Sequence, residues 1–567
     1  MPAVVAYSHS SLDNFLVSPT ATIVSELTIT GTGVEGEQLN AWREQIYFLK
    51  SALEGFERPA HIYFEFFIPR MGKRVDVVLL VENTVVVLEF KVNSKTFDMA
   101  AIDQAHDYAL DLKNFHQGSH KLPIIPVLVA TSATEQGHQL AAFADDLVAR
   151  PLRASSPEEL TALLCNQENI NPASEPLALR ASDWANSGYK PTPTIVEAAQ
   201  ALYRQHSVEE ITRSDAGTRN LLDTNSAVDN IIDRAKVEKF KAICFVTGVP
   251  GAGKTLAGLN IATQRADAHE DEHATFLSGN GPLVDVLREA LARDKAQREG
   301  VSKKSAHQAV QAFIQNIHHF RNTEIGRQQP PAEKVVVFDE AQRAWDNEQA
   351  TKFMRKRGFI DFDSSEPEFL ISVMDRHEDW AVIVCLIGGG QEINTGEAGL
   401  SEWLRSLADS FPGWRIFGSN RLGDPDYIWD DEAKSNFARV KMTQNESFHL
   451  SVSVRSFRAE ALSSFVGQVV ENRPEQARET LDQIKNHYPI ALTRSLSRAR
   501  HWLQQHARGS ERYGLVASSG AYRLRPDGLN VKAKIDAPIW FLNEKLDVRS
   551  SFFMEEVATE FDVQGLE

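Results

Sequence analysis

Two stretches of the chain hold residues whose types and spacing suit chemistry on phosphates. In the first, Asp76 lies inside the apolar run RVDVVLLVE (74–82), and Glu89 and Lys91 flank Phe90 near the end of TVVVLEFKV (84–92). Period-two alternation puts Glu89 and Lys91 on one face of a strand. Apolar neighbours surround all three charges, which makes a purely solvated face an awkward reading. Two carboxylates brought close repel each other unless a cation sits between them, and a divalent metal on oxygen ligands resolves that repulsion. Asp76 and Glu89 are therefore candidate ligands for Mg2+, with Mn2+ as a substitute. Such a metal polarises a phosphodiester and lowers the pKa of a bound water. Lys91 would orient the water or stabilise the charge of the pentavalent state. Gln104 and Tyr108, spaced i, i+4 on the next helical stretch, share a face that can point to the same site. The alternative is an ion pair between Glu89 and Lys91 on an edge strand. Glu44, on the first helical stretch, is a weaker candidate ligand.

The second stretch is GVPGAGKT, formed by Gly248, Val249, Pro250, Gly251, Ala252, Gly253, Lys254 and Thr255. It fits G-x-x-x-x-G-K-T, follows the apolar run AICFVT and opens the helical stretch LAGLNIAT, which is the context this motif requires. Its backbone amides would curl around the phosphates of ATP, Lys254 would reach the β- and γ-phosphates, and Thr255 would ligate Mg2+. KVVVFDEAQRAW (334–345) is a strand ending in adjacent carboxylates. Asp339 would hold the magnesium ion, and Glu340 would orient or deprotonate the attacking water.

The elements that must position these residues follow from periodicity. Residues 37–54 are helical, 61–69, 74–82 and 84–92 are strands, 97–116 are helical again and 122–130 form another strand, giving the order α-β-β-β-α-β. Residues 150–193 are irregular and rich in Ser, Pro and Asn, which marks a boundary. Strand-like and helical runs then alternate to about residue 420, the pattern of a parallel α/β sheet, and a second α/β series begins near residue 446. The expected partition is 1–150, a connecting helical segment 151–240, then 241–440 and 441–567. The chain has 567 residues, 42% of them hydrophobic and 24% charged, an ordinary globular composition with material for several cores. No run approaches a membrane span and the N-terminus has no signal-peptide pattern, so a cytoplasmic location is expected. Cys165, Cys244 and Cys385 are far apart and read as buried free thiols. A formal charge of −17 argues against polyanion binding by the whole surface, but leaves room for a local basic groove.

Asp76, the EFK of 89–91 and the QxxxY of 104–108, in that element order, resemble the PD-(D/E)xK nuclease superfamily. Val75 stands where the superfamily's proline would be. The resemblance implies a restriction-endonuclease-like domain with metal-dependent cleavage. TGVPGAGKT, FDEAQRAW, LIGGGQEIN, GEAGL, GLVASSGAYRLRPDG and VATEFDVQGLE, in this order over roughly 240–567, resemble superfamily 1 helicases and, more narrowly, the Schlafen group 3-type DNA/RNA helicase domain. That resemblance implies two RecA-like parallel-sheet domains, the second incomplete at its C-terminus, and an ATP-driven motor on nucleic acid, DNA favoured and RNA possible. It also implies a role in DNA processing or in defence against foreign DNA. Gln391 falls where a γ-phosphate sensor belongs, Arg455 is a candidate phosphate contact, and TFLSGNGPLV (275–284) resembles the segment that touches a nucleic-acid strand.

In the same resemblance VATEFDVQGLE is the fifth motif, and a further strand and an arginine finger would follow Glu567. The expectation is a chain truncated relative to its family, one that binds ATP but hydrolyses it slowly unless a partner subunit or second copy supplies the arginine, since a finger is worth about 10³–10⁵ in rate. LTRSLSRAR (492–500) precedes that motif, the wrong order for a finger, and reads as a strand end and helix start. The alternatives are a nuclease switched by ATP binding with little turnover, and an RNA-directed nuclease.

Overall fold

The computed structural model describes residues 5–31, 36–69, 73–135, 140–166, 168–170, 181–189, 194–204, 215–249, 251–266, 274–388, 399–425, 427–428, 431–452, 457–485 and 488–566. They form two compact units, one of residues 1–191 with 458–513, the other of 192–457 with 514–567.

The first unit is built on a six-stranded sheet in chain order: β1 (Ser8–Ser11), β2 (Ala60–Ile68), β3 (Lys73–Val81), β4 (Thr84–Lys91), β5 (Ile124–Ala130) and β6 (Leu152–Ala154). β1 to β4 are antiparallel neighbours, whereas β4, β5 and β6 run parallel. The parallel step needs a crossover, and the helix Met99–Phe115 supplies it between β4 and β5. Alternation sorts the side chains. Val77, Leu79, Val86 and Leu88 pack against Trp42, Ile46 and Leu49 of the helix Gly36–Leu53. Val78, Leu80, Val85 and Val87 pack with Tyr108, Ala109 and Leu112 of the crossover helix. Both faces of the sheet are covered, which is why β3 and β4 read as nearly unbroken apolar runs. The helix–strand order expected for 37–130 is present, and β1, β6 and the helices Leu12–Val17 and Thr20–Thr30 extend it. Cys165 ends the helix Pro157–Cys165 and is exposed rather than buried, while Cys244 and Cys385 are buried as expected.

The second unit carries a parallel sheet: β7 (Lys241–Gly248), β8 (Ala274–Ser278), β9 (Ile314–Asn316), β10 (Val335–Asp339), β11 (Ala381–Gly388), β12 (Arg415–Ser419), β13 (Met442–Asn445) and β14 (His449–Leu450). Its order is β13-β12-β7-β11-β10-β8-β9, with β14 beside the end of β7. β7, β10 and β11 sit inside the sheet with helices over both faces, so their residues are almost entirely buried. Gly258 lets the helix Lys254–Ala266 lie flat on the sheet, since a Cβ there would come within 2.7 Å of Leu386. β15 (Leu515–Ala517) and β16 (Val557–Thr559) form a separate parallel pair. LTRSLSRAR does open a helix, Leu496–His506, but carries no strand before it.

Candidate active sites

At one end of the first sheet a cleft of about 470 Å³ is lined by Gln38, Trp42 and Gln45 from one helix and by Glu65, Asp76, Glu89 and Lys91 from three strands. Alternation brings Glu89 and Lys91 to the same face, and Lys91 Nζ lies 2.9 Å from Glu89 Oε1. Lys91 also donates to Gln104 Oε1 (3.4 Å), and Gln104 donates in turn to Tyr108 Oη (2.9 Å). The backbone N–H of Phe90 donates to Asp76 Oδ2 (2.7 Å), so one residue of the strand tip fixes the carboxylate of its neighbour. All five residues read from the sequence thus meet in one network.

Burial, and then the charge of Glu89, push the Asp76 carboxyl well above the usual carboxylate range, against the Phe90 N–H. Burial raises Glu89 too, opposed by Lys91. Glu89 is 3% exposed, and its Oε2 has no hydrogen-bond partner among the described residues. A buried carboxylate oxygen without a donor costs roughly 1–3 kcal/mol or more. A divalent cation on Asp76 and Glu89 would relieve both that deficit and the mutual repulsion, so the donor set fits one. Among the described residues no group of three or more His, Cys, Asp or Glu side chains is arranged to hold a metal ion. A two-carboxylate site suits Mg2+, which keeps several waters and takes phosphate oxygens as ligands.

Glu65 was not singled out from the sequence, although it is the one charge in HIYFEFFIP. It is opposite Asp76 in the β2–β3 register, where the run of paired residues skips one step. Its φ of 54° departs from extended backbone. Tyr63 packs on the crossover-helix side, and Glu65 by strict alternation would follow it. The positive φ instead lets Glu65 Oε1 accept from Trp42 Nε1 at 2.7 Å, from the helix on the other side. Its charge raises the pKa of both Asp76 and Glu89. Glu44 is exposed and lies off the face of Gln38, Ala41, Trp42 and Gln45 that lines the cleft.

In the second unit Gly248 ends β7 and the helix Lys254–Ala266 begins six residues on. Between them Gly251 and Gly253 take φ of 75° and 82°, values that L side chains avoid. Gly248 approaches the backbone of Leu450 so closely that a Cβ would lie 2.9 Å from that residue's Cβ. Val249 N–H donates to Leu450 O (3.0 Å), so β14 props the loop. Lys254 is buried and its Nζ donates to Gly248 O (3.0 Å) and Val249 O (3.3 Å). Thr255 Oγ1 donates to Asp339 Oδ2 at 3.2 Å, at the end of β10, with β11 between β7 and β10. Asp339 is 3% exposed, and burial followed by the adjacent Glu340 raises it to about 7.

Glu340 has φ 53°, which turns the chain off the strand, and its carboxylate accepts from Gln342 Nε2. Gln342 Oε1 accepts from Gly388 N–H (3.1 Å) at the end of β11. Gln342 therefore links Glu340 to the neighbouring strand tip, a role its place two residues after the acid pair did not reveal. Asn280, the N-cap of the helix Gly281–Glu299, donates to Gln564 O (2.6 Å), and Arg343 donates to Gln564 Oε1 (3.0 Å). The segment after β16 thus touches both TFLSGNGPLV and the acid-pair loop. Pro250, Gln391 and Arg455 lie outside the described residues.

A glycine-rich loop between a central parallel strand and a helix, with Thr255 hydrogen-bonded to an aspartate at the tip of another strand, defines a P-loop NTPase domain of RecA-like architecture. Residues 241–567 match the Schlafen group 3, DNA/RNA helicase domain family, and the chain belongs to that family. No curated protein matches the chain. Among solved structures, the crystal structure of the Pyrococcus furiosus Hef helicase domain aligns over 59% of this chain and 86% of its own, at 13% identity and a TM-score of 0.21. Family membership makes the chain a helicase-like protein of nucleotide-dependent nucleic-acid processing. Among the described residues no helix is long and apolar enough to cross a membrane.

Proposed function

We propose that the chain is an ATP-dependent enzyme that cleaves nucleic-acid phosphodiesters at the cleft of Asp76, Glu89 and Lys91, with cleavage governed from the P-loop domain. The observation that carries the nuclease half is the buried Glu89 Oε2, without a hydrogen-bond partner among the described residues, beside Asp76 and Lys91. Asp76 and Glu89 would hold Mg2+ or Mn2+, which supplies Lewis-acid polarisation of the scissile phosphate. Asp76 is oriented by the Phe90 N–H, and Glu89 by Lys91. The Lys91 ammonium, steadied by Gln104 and through it by Tyr108, is placed to stabilise charge building on the phosphate oxygens. In the other unit, the loop amides and Lys254 bind the nucleotide phosphates, Thr255 and Asp339 hold the magnesium ion, and Glu340, set by Gln342, orients the water.

The test incubates the full chain with linear and circular duplex DNA, single-stranded DNA and RNA, in Mg2+ or Mn2+, with and without ATP. Cleavage is expected to vanish in Glu89→Ala and to lose its response to ATP in Lys254→Ala. Cleavage that survives Glu89→Ala rejects the nuclease assignment.

A further inference from the structure

The stretch LTRSLSRARHWLQQHARGSER (492–512) holds five arginines and two histidines against one acid, Glu511, a formal charge of +4 in a chain of −17. Its helix, Leu496–His506, is capped by Ser495 and has no fully buried residue; Leu496, Ala499, Trp502 and Leu503 are half-buried, and packing does not account for the exposed cations. It has no Asp or Glu to make i, i+4 pairs, so a charge-balanced solvated face does not explain it either. Arg494, Arg498 and His501 are exposed, and neither Arg494 nor Arg498 has a carboxylate partner among the described residues. Trp502 and His506 stack with ring centroids 4.3 Å apart at 24°, and His506 is pinned there by the Trp502 carbonyl (2.8 Å). Trp502 is only half-buried, which leaves an aromatic platform one helical turn from Arg498.

The far half of the same stretch is anchored within this unit. Arg508 pairs with Asp146 (2.6 Å), and Ser510 N–H donates to Asp107 Oδ1 (2.8 Å). Gly509 (φ 55°) passes so close that a Cβ would strike Asp107. Asp107 is on the helix Met99–Phe115, between Gln104 and Tyr108.

We infer that Arg494, Arg498 and Trp502 form a docking surface for a single-stranded polynucleotide, with phosphates on the arginines and a base on the aromatic platform. The occupant follows from charge complementarity and from the aromatic face, since a stacked platform serves unpaired bases. The docked strand is held on a segment fixed to the helix that carries Gln104 and Tyr108. The inference rests on the reading of the chain as a nucleic-acid enzyme, and not on cleavage.

The test uses the full chain, without ATP and with EDTA, and fluorescein-labelled oligothymidylate, oligouridylate and a duplex, read by anisotropy over a salt series. Each phosphate contact on a single strand contributes about 0.7 to the log–log salt slope. Arg494→Ala/Arg498→Ala should lower that slope by about 1.4 and weaken low-salt binding roughly tenfold, and Arg494→Lys/Arg498→Lys should restore the slope. Trp502→Ala should weaken binding at least about fivefold and leave the slope unchanged. A wild-type slope in the double alanine variant, or failure of the folded lysine variant to restore it, overturns the inference. Equal losses on duplex, with no effect of Trp502→Ala, overturn the single-strand assignment. Persistent cleavage by Glu89→Ala would reject the nuclease reading and leave these binding results standing.

Discussion

Asp339 offers the most exacting test of the ATP site. Its ordinary pKa of 3.8 rises to about 7 in the fold, first through burial and then through Glu340. A carboxyl whose folded pKa is raised is disfavoured by the fold once ionised. The cost therefore begins near the unfolded pKa, grows as pH rises, and levels off above about 7. A shift of about 3 units at about 1.4 kcal/mol each gives a full cost of about 4 kcal/mol. At 3% exposure, water screens little of it. Asp339→Asn keeps the shape and the Thr255 contact and removes the charge. Between about pH 5 and pH 8 the variant should gain about 2–3 kcal/mol on the parent, a rise in relative Tm of roughly 5 °C for the P-loop unit. Scanning calorimetry with EDTA reads it directly. Adding Mg2+ and an ATP analogue should reverse the ranking, because the parent regains a ligand for its carboxylate and the variant does not. A Tm difference that stays constant across that pH range refutes the argument.

The remaining predictions concern the two sheets. Glu65→Gln should raise the Tm of the metal-free first unit, by removing repulsion at Asp76 and Glu89, and lower Mn2+ affinity by roughly tenfold in calorimetric titration. The opposite signs separate a role at the metal from simple packing. Gly258→Ala inserts a methyl group 2.7 Å from Leu386 and 3.0 Å from Phe276. Overpacking of about 1–3 kcal/mol, offset by up to about 1 from helix propensity, should lower the Tm of the P-loop unit by a few degrees and weaken nucleotide binding.

Legibility in the sequence followed the range of the forces involved. The helix and strands from 36 to 130 were readable because both faces of the sheet are buried, and alternation placed Glu89 and Lys91 together. The loop was readable because its glycines and Lys254–Thr255 stand at the fixed spacing G-x-x-x-x-G-K-T, and Gly251 and Gly253 take positive φ values that favour glycine. Glu65 was missed because its role depends on a left-handed turn inside a strand and on the register with Asp76, neither of which is local. A lone charge in an apolar run was the available signal. Gln342 was missed because its partner Gly388 N–H belongs to a strand 46 residues away. Glu44 was misplaced because helical phase, not proximity in sequence, decides which side of Gly36–Leu53 meets the cleft. β13 and β14 continue the sheet of β7, an outcome of long-range pairing that short strands of four and two residues do not announce.

The return of residues 458–513 to the first unit has a temporal side. The helix that bears Gln104 and Tyr108 emerges early from the ribosome, but Arg508 and Ser510, which hold Asp146 and Asp107, come about 320 residues after the unit's first segment ends at Pro191. At about 5–20 residues per second that is a wait of roughly 15–60 s. Throughout it Asp107 and Asp146 wait for these two contacts, while the P-loop sheet is made and can fold. The order of synthesis therefore gives the P-loop domain most of its chain before the first unit receives the helical segment that completes it.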